Sequence, residues 1–309
     1  MREIVVISGK GGTGKTSLTA AFAALARDAV LCDLDVDVPD LHLLLSPNVI
    51  AQEAFVSGFT ARVDAAACFG CGKCRRMCRF DAIRPSGGVF EVDEMRCEGC
   101  NVCVTFCPKG AVRLEPRHCG EWYRSETRFG PMLHAQLFPG QENSGRLVAL
   151  LKAEARNLAA QRGLDLILCD GAPGIGCPVI SSLSGADLAV IVTEPTPSGH
   201  HDLLRVAELC EHFKIPIGVI VNKVDLNPAE ASRIEGSCAE RGCALLARLR
   251  HDEIVTTAMV ERRAVTEIEC DFSQAVRTAW SRIQTLLDRG EKCAAAGNQM
   301  TSKNNQQAL

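Results

Sequence analysis

The chain is predicted to be an α/β protein: a doubly wound, mostly parallel sheet with a small α+β module inserted into it. Three observations predict this. Short β-branched apolar runs alternate with longer stretches of helical periodicity, the pattern of strands joined by crossover helices. A glycine-rich loop separates the first such run from the first helical stretch. From about residue 63 to 115 the alternation stops, and eight cysteines fall there in two similar blocks.

The first run, REIVVIS at 2–8, reads as a buried strand. The glycine loop follows, and Lys15–Arg27 carries the alanine-rich pattern of a helix. A second strand is expected at Ala29–Leu34. Beyond the cysteine blocks, Ser144–Gln161 reads as a helix and Leu164–Cys169 as a fully buried strand. Strands at Leu188–Thr193 and Ile217–Val221 repeat that theme, with helices at Gly199–Phe213, Ala229–Arg241 and Phe272–Leu287. The expected division is a sheet domain in two parts, 1–62 and 116–289, a module at 63–115, and a mobile polar tail at 290–309.

Composition narrows the function classes. A net charge of -3 gives no electrostatic case for nucleic-acid or membrane-surface binding, and one Tyr with two Trp leaves little for base stacking. No run reaches the roughly 18 apolar residues of a bilayer span. The N-terminal apolar run leads straight into the glycine loop, unlike a signal peptide. A cytoplasmic protein with no nucleic-acid and no membrane partner is expected. In a reducing compartment, 17 cysteines in clustered spacing point to metal binding before disulfides.

Gly9-Lys10-Gly11-Gly12-Thr13-Gly14-Lys15-Thr16 fits G-x-x-x-x-G-K-[ST] between a predicted strand and helix. The glycines let backbone N–H groups curl around phosphate oxygens. Lys15 neutralises the outer phosphates and Thr16 offers a hydroxyl to Mg2+. Ser17 completes the candidate nucleotide-binding residues.

Cys68-x2-Cys71-x2-Cys74-x3-Cys78 and Cys97-x2-Cys100-x2-Cys103-x3-Cys107-Pro108 each have the spacing of bacterial ferredoxins. In that spacing three thiolates hold one cubane and the fourth serves the other. One [4Fe-4S] cluster would take Cys68, Cys71, Cys74 and Cys107; the second would take Cys97, Cys100, Cys103 and Cys78. The first block ends Cys78-Arg79 where the motif usually has Cys-Pro, which leaves every ligand in place. Zinc and disulfides are the alternatives, and the duplicated octet is far more specific than either.

Several stretches together carry a family resemblance: KGGTGKT with its second lysine, Cys32-Asp33-Leu34-Asp35-Val36-Asp37, the buried strand ending Asp170-Gly171-Ala172-Pro173-Gly174, TEPTPSG, and Asn222-Lys223-Val224-Asp225. The chain resembles the MinD/ParA/nitrogenase-iron-protein superfamily of P-loop ATPases with a deviant Walker A motif, in its members with an inserted ferredoxin domain. The resemblance implies a nucleotide-dependent homodimer, or a heterodimer with a paralogue, using ATP and Mg2+. It makes Lys10 a charge supplied in trans to the partner's nucleotide, Asp35 the residue that orients attacking water, and Asp170 a Mg2+ ligand through water. Gly174 would approach the γ-phosphate and Asn222 the base; Asn-Lys-x-Asp also fits guanine reading, and the family favours adenine. Asp37 is read as a capping or loop carboxylate. Cys177, seven residues after Asp170, matches the offset of a dimer-bridging cluster ligand in the nitrogenase iron protein. A redox or cofactor-assembly protein partner is implied, with a ParA/MinD-like positioning switch as the alternative. His200-His201-Asp202 invites a metal reading but is read as a helix-start cap.

Overall fold

In the computed structural model, the described residues are 1–306, with side chains described through Asp288. The tail expected at 290–309 lies beyond the described side chains, and 307–309 lie outside the described residues. The elements run β1 (Arg2–Ser8), α1 (Lys15–Leu25), β2 (Ala29–Asp33), α2 (Leu41–Leu45), β3 (Asn48–Val63), α3 (Lys73–Met77), β4 (Ile83–Ser86) and β5 (Val89–Val92). Next come α4 (Val102–Thr105), β6 (Val112–Thr127), β7 (Gly130–Leu137), α5 (Ser144–Arg162), β8 (Leu166–Pro173), α6 (Cys177–Leu183) and β9 (Leu188–Thr193). The chain closes with α7 (Pro197–His212), β10 (Ile217–Val221), α8 (Pro228–Glu240), β11 (Ala244–Arg248), α9 (Glu253–Val260) and α10 (Asp271–Gln306).

The strand order is β11-β10-β9-β1-β8-β2-β7-β6-β3. From β11 to β7 the pairs are parallel, as crossover helices require. β1 lies between β8 and β9, so the loop after β1 opens at the carboxyl edge beside the ends of β8 and β9. In an open α/β sheet that edge is where ligands bind. Register sets Asp33 opposite Asp170, placing two carboxylates at the ends of neighbouring strands.

The chain divides into two compact units, Met1–Gln52 with Tyr123–Gln136 and Ser144–Leu309, and Glu53–Trp122 with Leu137–Asn143. The first is centred on its sheet. One face of that sheet is closed by the alanine-rich α1, which packs on α10 through Phe22 stacked on Trp280 at 5.5 Å between ring centroids. The second unit contains the antiparallel β4–β5 pair, α3 and α4, around a small core of Ala61, Ala82, Ile83 and Val112 with Cys74 and Cys97. The 16-residue strands β3 and β6 have no counterpart in the sequence reading. Their polar-rich, irregular burial shows neither strict alternation nor a continuous apolar run. No helix among the described residues is long and apolar enough to cross a membrane.

Candidate functional site

A cavity of about 610 Å3 opens at the carboxyl edge of the sheet in the first unit. It is lined by residues 11–17 of the glycine loop, with Asp35 and Asp37 on one side and Asn222, Arg250 and Met259 on another. Gly14 takes a φ of 90° where the loop enters α1, and a Cβ there would lie 2.6 Å from Asn222 Nδ2. Glycine is therefore required twice, for backbone conformation and for space.

Lys15 is buried among acids. Its Nζ contacts Asp170 Oδ1 at 2.8 Å and Asp35 Oδ2 at 3.9 Å. Burial opposes its charge, but Asp170, Asp33 and Asp35 outweigh burial and raise its pKa. Thr19 donates to the same Asp170 oxygen at 3.0 Å. Asp170 Oδ2 is buried with no hydrogen-bond partner, as is Thr13 Oγ1. Orphaned buried acceptors demand a partner, and a hydrated divalent cation at the loop is the partner that suits this carboxylate.

Asp33 is fully buried and accepts from the N–H groups of Asp35 and Leu41, each at 3.1 Å. Of the two roles expected of Asp37, capping or loop carboxylate, it takes the second, exposed at the cavity, while Asp33 caps the start of α2. Burial, opposed by Lys15, pushes Asp35 up to about 6. An Asp35 that orients water must be ionised, so kcat/KM for ATP is expected to fall as pH drops through about 6. An Asp35→Asn protein should lose that inflection; an unchanged profile would remove Asp35 from the reaction. For the nucleotide-free fold the sign is opposite. Protonated Asp35 stabilises below its ordinary value of 3.8, and that contribution is lost as pH rises through about 6.

Asn222 supports the loop from beneath. Its Nδ2 donates to the Thr13 carbonyl at 2.9 Å, and its Oδ1 accepts from Lys223 N at 3.0 Å. Asn222→Ala would leave that carbonyl without its donor, costing about 1–3 kcal/mol. The KM for ATP is expected to rise about tenfold with the ATP-to-GTP preference unchanged. A changed preference would show instead that Asn222 reads the base.

Gly9 and Lys10 face α7. A Cβ on Gly9 would meet the Asp202 Cβ at 2.3 Å. Lys10 Nζ reaches Thr196 Oγ1 at 3.3 Å and Glu194 Oε2 at 3.4 Å. Glu194 also binds Lys223, whose ammonium donates to the Gly12 carbonyl at 3.2 Å. The sequence reading did not single out Glu194, although TEPTPSG contains it. Gly174 has a φ of 90° and its N–H donates to Ser8 O at 2.8 Å, tying the segment after β8 to the end of β1. Thr196 caps α7 by accepting from Gly199 N at 3.0 Å. His200 bridges Glu230 and Ser237 at 2.9 Å each, so its ring joins α7 to α8.

In the second unit the eight cysteines of the two blocks gather in the crossed sets. One small cavity is lined by Cys68, Cys71, Cys74 and Cys107, and another by Cys78, Cys97, Cys100 and Cys103. All the described cysteines are free thiols. Ala61 N–H points at Cys97 Sγ at 3.3 Å and Ala111 N–H at Cys107 Sγ at 3.2 Å. Burial, reinforced by the nearby Cys97 and Cys100, pushes Cys103 up to about 11. Among the described residues, no group of three or more His, Cys, Asp or Glu could hold a metal ion. A single ion draws its ligands to one point, whereas a cubane spreads four thiolates over four irons. Cys177 is exposed at the first turn of α6, in the first unit, and is not among the residues lining the two cysteine cavities.

The sequence profile of the CobQ/CobB/MinD/ParA nucleotide-binding domain matches residues 4–265. The chain is 34% identical over 230 residues to the uncharacterised protein MJ0578 of Methanocaldococcus jannaschii, covering 73% of this chain and 79% of that one. A second protein of the same organism, MJ0579, is 27% identical over 233 residues, covering 74% and 82%. The fold resembles that of the Pyrococcus furiosus cell division ATPase MinD, with a TM-score of 0.55 at 18% identity over 92% of this chain and 99% of that one. It also resembles the septum site-determining protein MinD complexed with Mg-ADP from Pyrococcus horikoshii, with a TM-score of 0.55 at 17% identity over 94% and 98%. The chain therefore belongs to the CobQ/CobB/MinD/ParA nucleotide-binding domain family.

Proposed function

We propose that this protein binds and hydrolyses ATP as a nucleotide-dependent dimer. It couples that switch to electron transfer, or to iron–sulfur or metal-cofactor assembly, on a partner protein. The observation that carries this reading is that two cavities of the second unit are each lined by four cysteines, in a chain that also has a phosphate-loop pocket. Four soft thiols per cavity suit a [4Fe-4S] cluster in donor type and number, and the N–H groups aimed at Cys97 and Cys107 suit ligand sulfurs. When bound, the two clusters supply one-electron transfer.

At the nucleotide, the N–H groups of the glycine loop surround the phosphates and Lys15 neutralises their charge. Thr16 and, through water, Asp170 would hold Mg2+, which would supply charge neutralisation at the phosphates, a role that the orphaned Asp170 oxygen suits. Asp35 orients the attacking water. Lys10 leaves Glu194 and Thr196 to reach the partner protomer's nucleotide as two copies close. The segment 33–40 leads through α2 directly into β3 and so, along the chain, into the cysteine blocks. Cys177, exposed on α6, is a ligand for a bridging cluster only if a second copy supplies its counterpart.

Light scattering with Asp35→Ala protein and MgATP tests the dimer switch. A stable dimer with ATP and a monomer without it are expected; a monomer at saturating ATP would contradict the switch. The second reading, a MinD/ParA-like positioning switch with structural or redox-sensing clusters, is favoured by the MinD fold neighbours. It requires nucleotide-dependent recruitment to a surface or filament without any change at the clusters.

A further inference from the structure

The two cysteine blocks are repeats offset by 29 residues, and their charges differ. Lys73, Arg75, Arg76 and Arg79 of the first block stand where the second has Val102, Val104, Thr105 and Pro108. Arg79 is the residue that replaces the usual proline after the fourth cysteine. All four cations are exposed. Among the described residues no carboxylate pairs with any of them, whereas Arg62, Arg84, Arg96 and Arg113 of the same unit are each held by an acid.

Two of these cations, Arg76 and Lys73, stand beside one cavity, which Lys109 also lines. Arg76 donates to the carbonyl of Cys71 at 3.3 Å, and Lys73 Nζ lies 5.6 Å from the Phe106 ring centroid, next to Cys107 in sequence. Both of those cysteines line the first cavity, as does Phe69, which is 60% exposed. Met77, on the same short helix as Arg75 and Arg76, is also exposed. Exposed apolar side chains beside cations that no acid holds are the make-up of a protein-docking surface, in which burial of the apolar part holds the partner and the charges steer it.

We infer that this basic mouth of the Cys68/Cys71/Cys74/Cys107 cavity docks an acidic protein partner, while the corresponding face of the second block does not. The inference rests on the iron–sulfur reading for the purpose of the contact, which is to bring an acidic redox protein to one cluster and not the other. A protein suits the surface better than a nucleic acid. The chain carries a net charge of -3, and the cations form one short patch instead of a track along which a polyanion could release many counterions.

The test measures binding of the anaerobically purified full chain to an immobilised acidic two-cluster ferredoxin. Cytochrome c, a basic protein, and a single-stranded oligonucleotide serve as counter-probes. Ferredoxin affinity is expected to fall about tenfold between about 0.05 and 0.5 M salt. It should fall about tenfold again in Arg75→Glu/Arg76→Glu, with a smaller loss in the milder Arg75→Gln/Arg76→Gln and none in Thr105→Glu on the second block. Equal ferredoxin binding by the wild type and both double variants would overturn the inference. So would tighter binding of cytochrome c or the oligonucleotide than of ferredoxin. Iron content and visible absorption are read on the same preparations. Missing iron counts against the iron–sulfur reading, whereas salt-insensitive binding with iron in place counts against the docking surface alone.

Discussion

Lys15→Ala is expected to lower ATP turnover about a thousandfold, the largest loss of any single change at the nucleotide site. The reason lies in its surroundings. Asp170, Asp33 and Asp35 all act on this one ammonium, 2.8 Å from Asp170 Oδ1, and the lysine is 7% exposed. Without it the loop loses the cation proposed to meet the outer phosphates, and the buried acids lose their counter-charge. Removing one partner of a buried pair costs about 3–5 kcal/mol, so the variant should also melt earlier than the wild type. Turnover by phosphate release and melting by circular dichroism check both arms. Lys15→Met, which keeps the apolar stem, should recover part of the packing and none of the turnover. Turnover near the wild-type rate in either variant would show that phosphate transfer does not depend on Lys15.

The second large effect is expected at a residue far from its own sequence block. Cys107→Ser should reduce bound iron from about eight to about four per chain, although Cys107 belongs to the second block. Cys107 lines the cavity of Cys68, Cys71 and Cys74, and Cys78 lines that of Cys97, Cys100 and Cys103. Cys78→Ser should therefore produce the same partial loss by emptying the other site. Anaerobic iron and sulfide assays with electron paramagnetic resonance distinguish the two variants by which signal survives. Full iron retention in Cys107→Ser would break the crossed assignment.

How far the site could be read from sequence follows from how local each feature is. The glycine loop, Lys15 and Thr16 are a contiguous signature, and Asp170 closes a buried apolar run, so their places at the carboxyl edge were readable before any coordinates. The crossed cysteine sets follow from the likeness of both blocks to bacterial ferredoxin spacing. Asn222, expected at the base, lines the cavity, and its Nδ2 also holds the carbonyl of Thr13, 209 residues away in sequence. No periodicity reports such a contact. Glu194 escaped for the same reason: its importance comes from Lys10 and Lys223 meeting it, not from its neighbours in the chain. Asp33, the first acid of the Asp-x-Asp pair, was given no role because its burial and its reach to α2 are not legible in the sequence. The fully buried position is the one that can hold the N–H groups of Asp35 and Leu41.

The most direct test of ATP gating is the reduction potential of the clusters in anaerobically purified protein. It should be measured with and without Mg2+ and a non-hydrolysable ATP analogue, alongside iron counting. About eight irons per chain and a potential that shifts when the analogue binds are expected. About eight irons with the same potential in both nucleotide states would contradict it, leaving the ATPase and the clusters energetically separate.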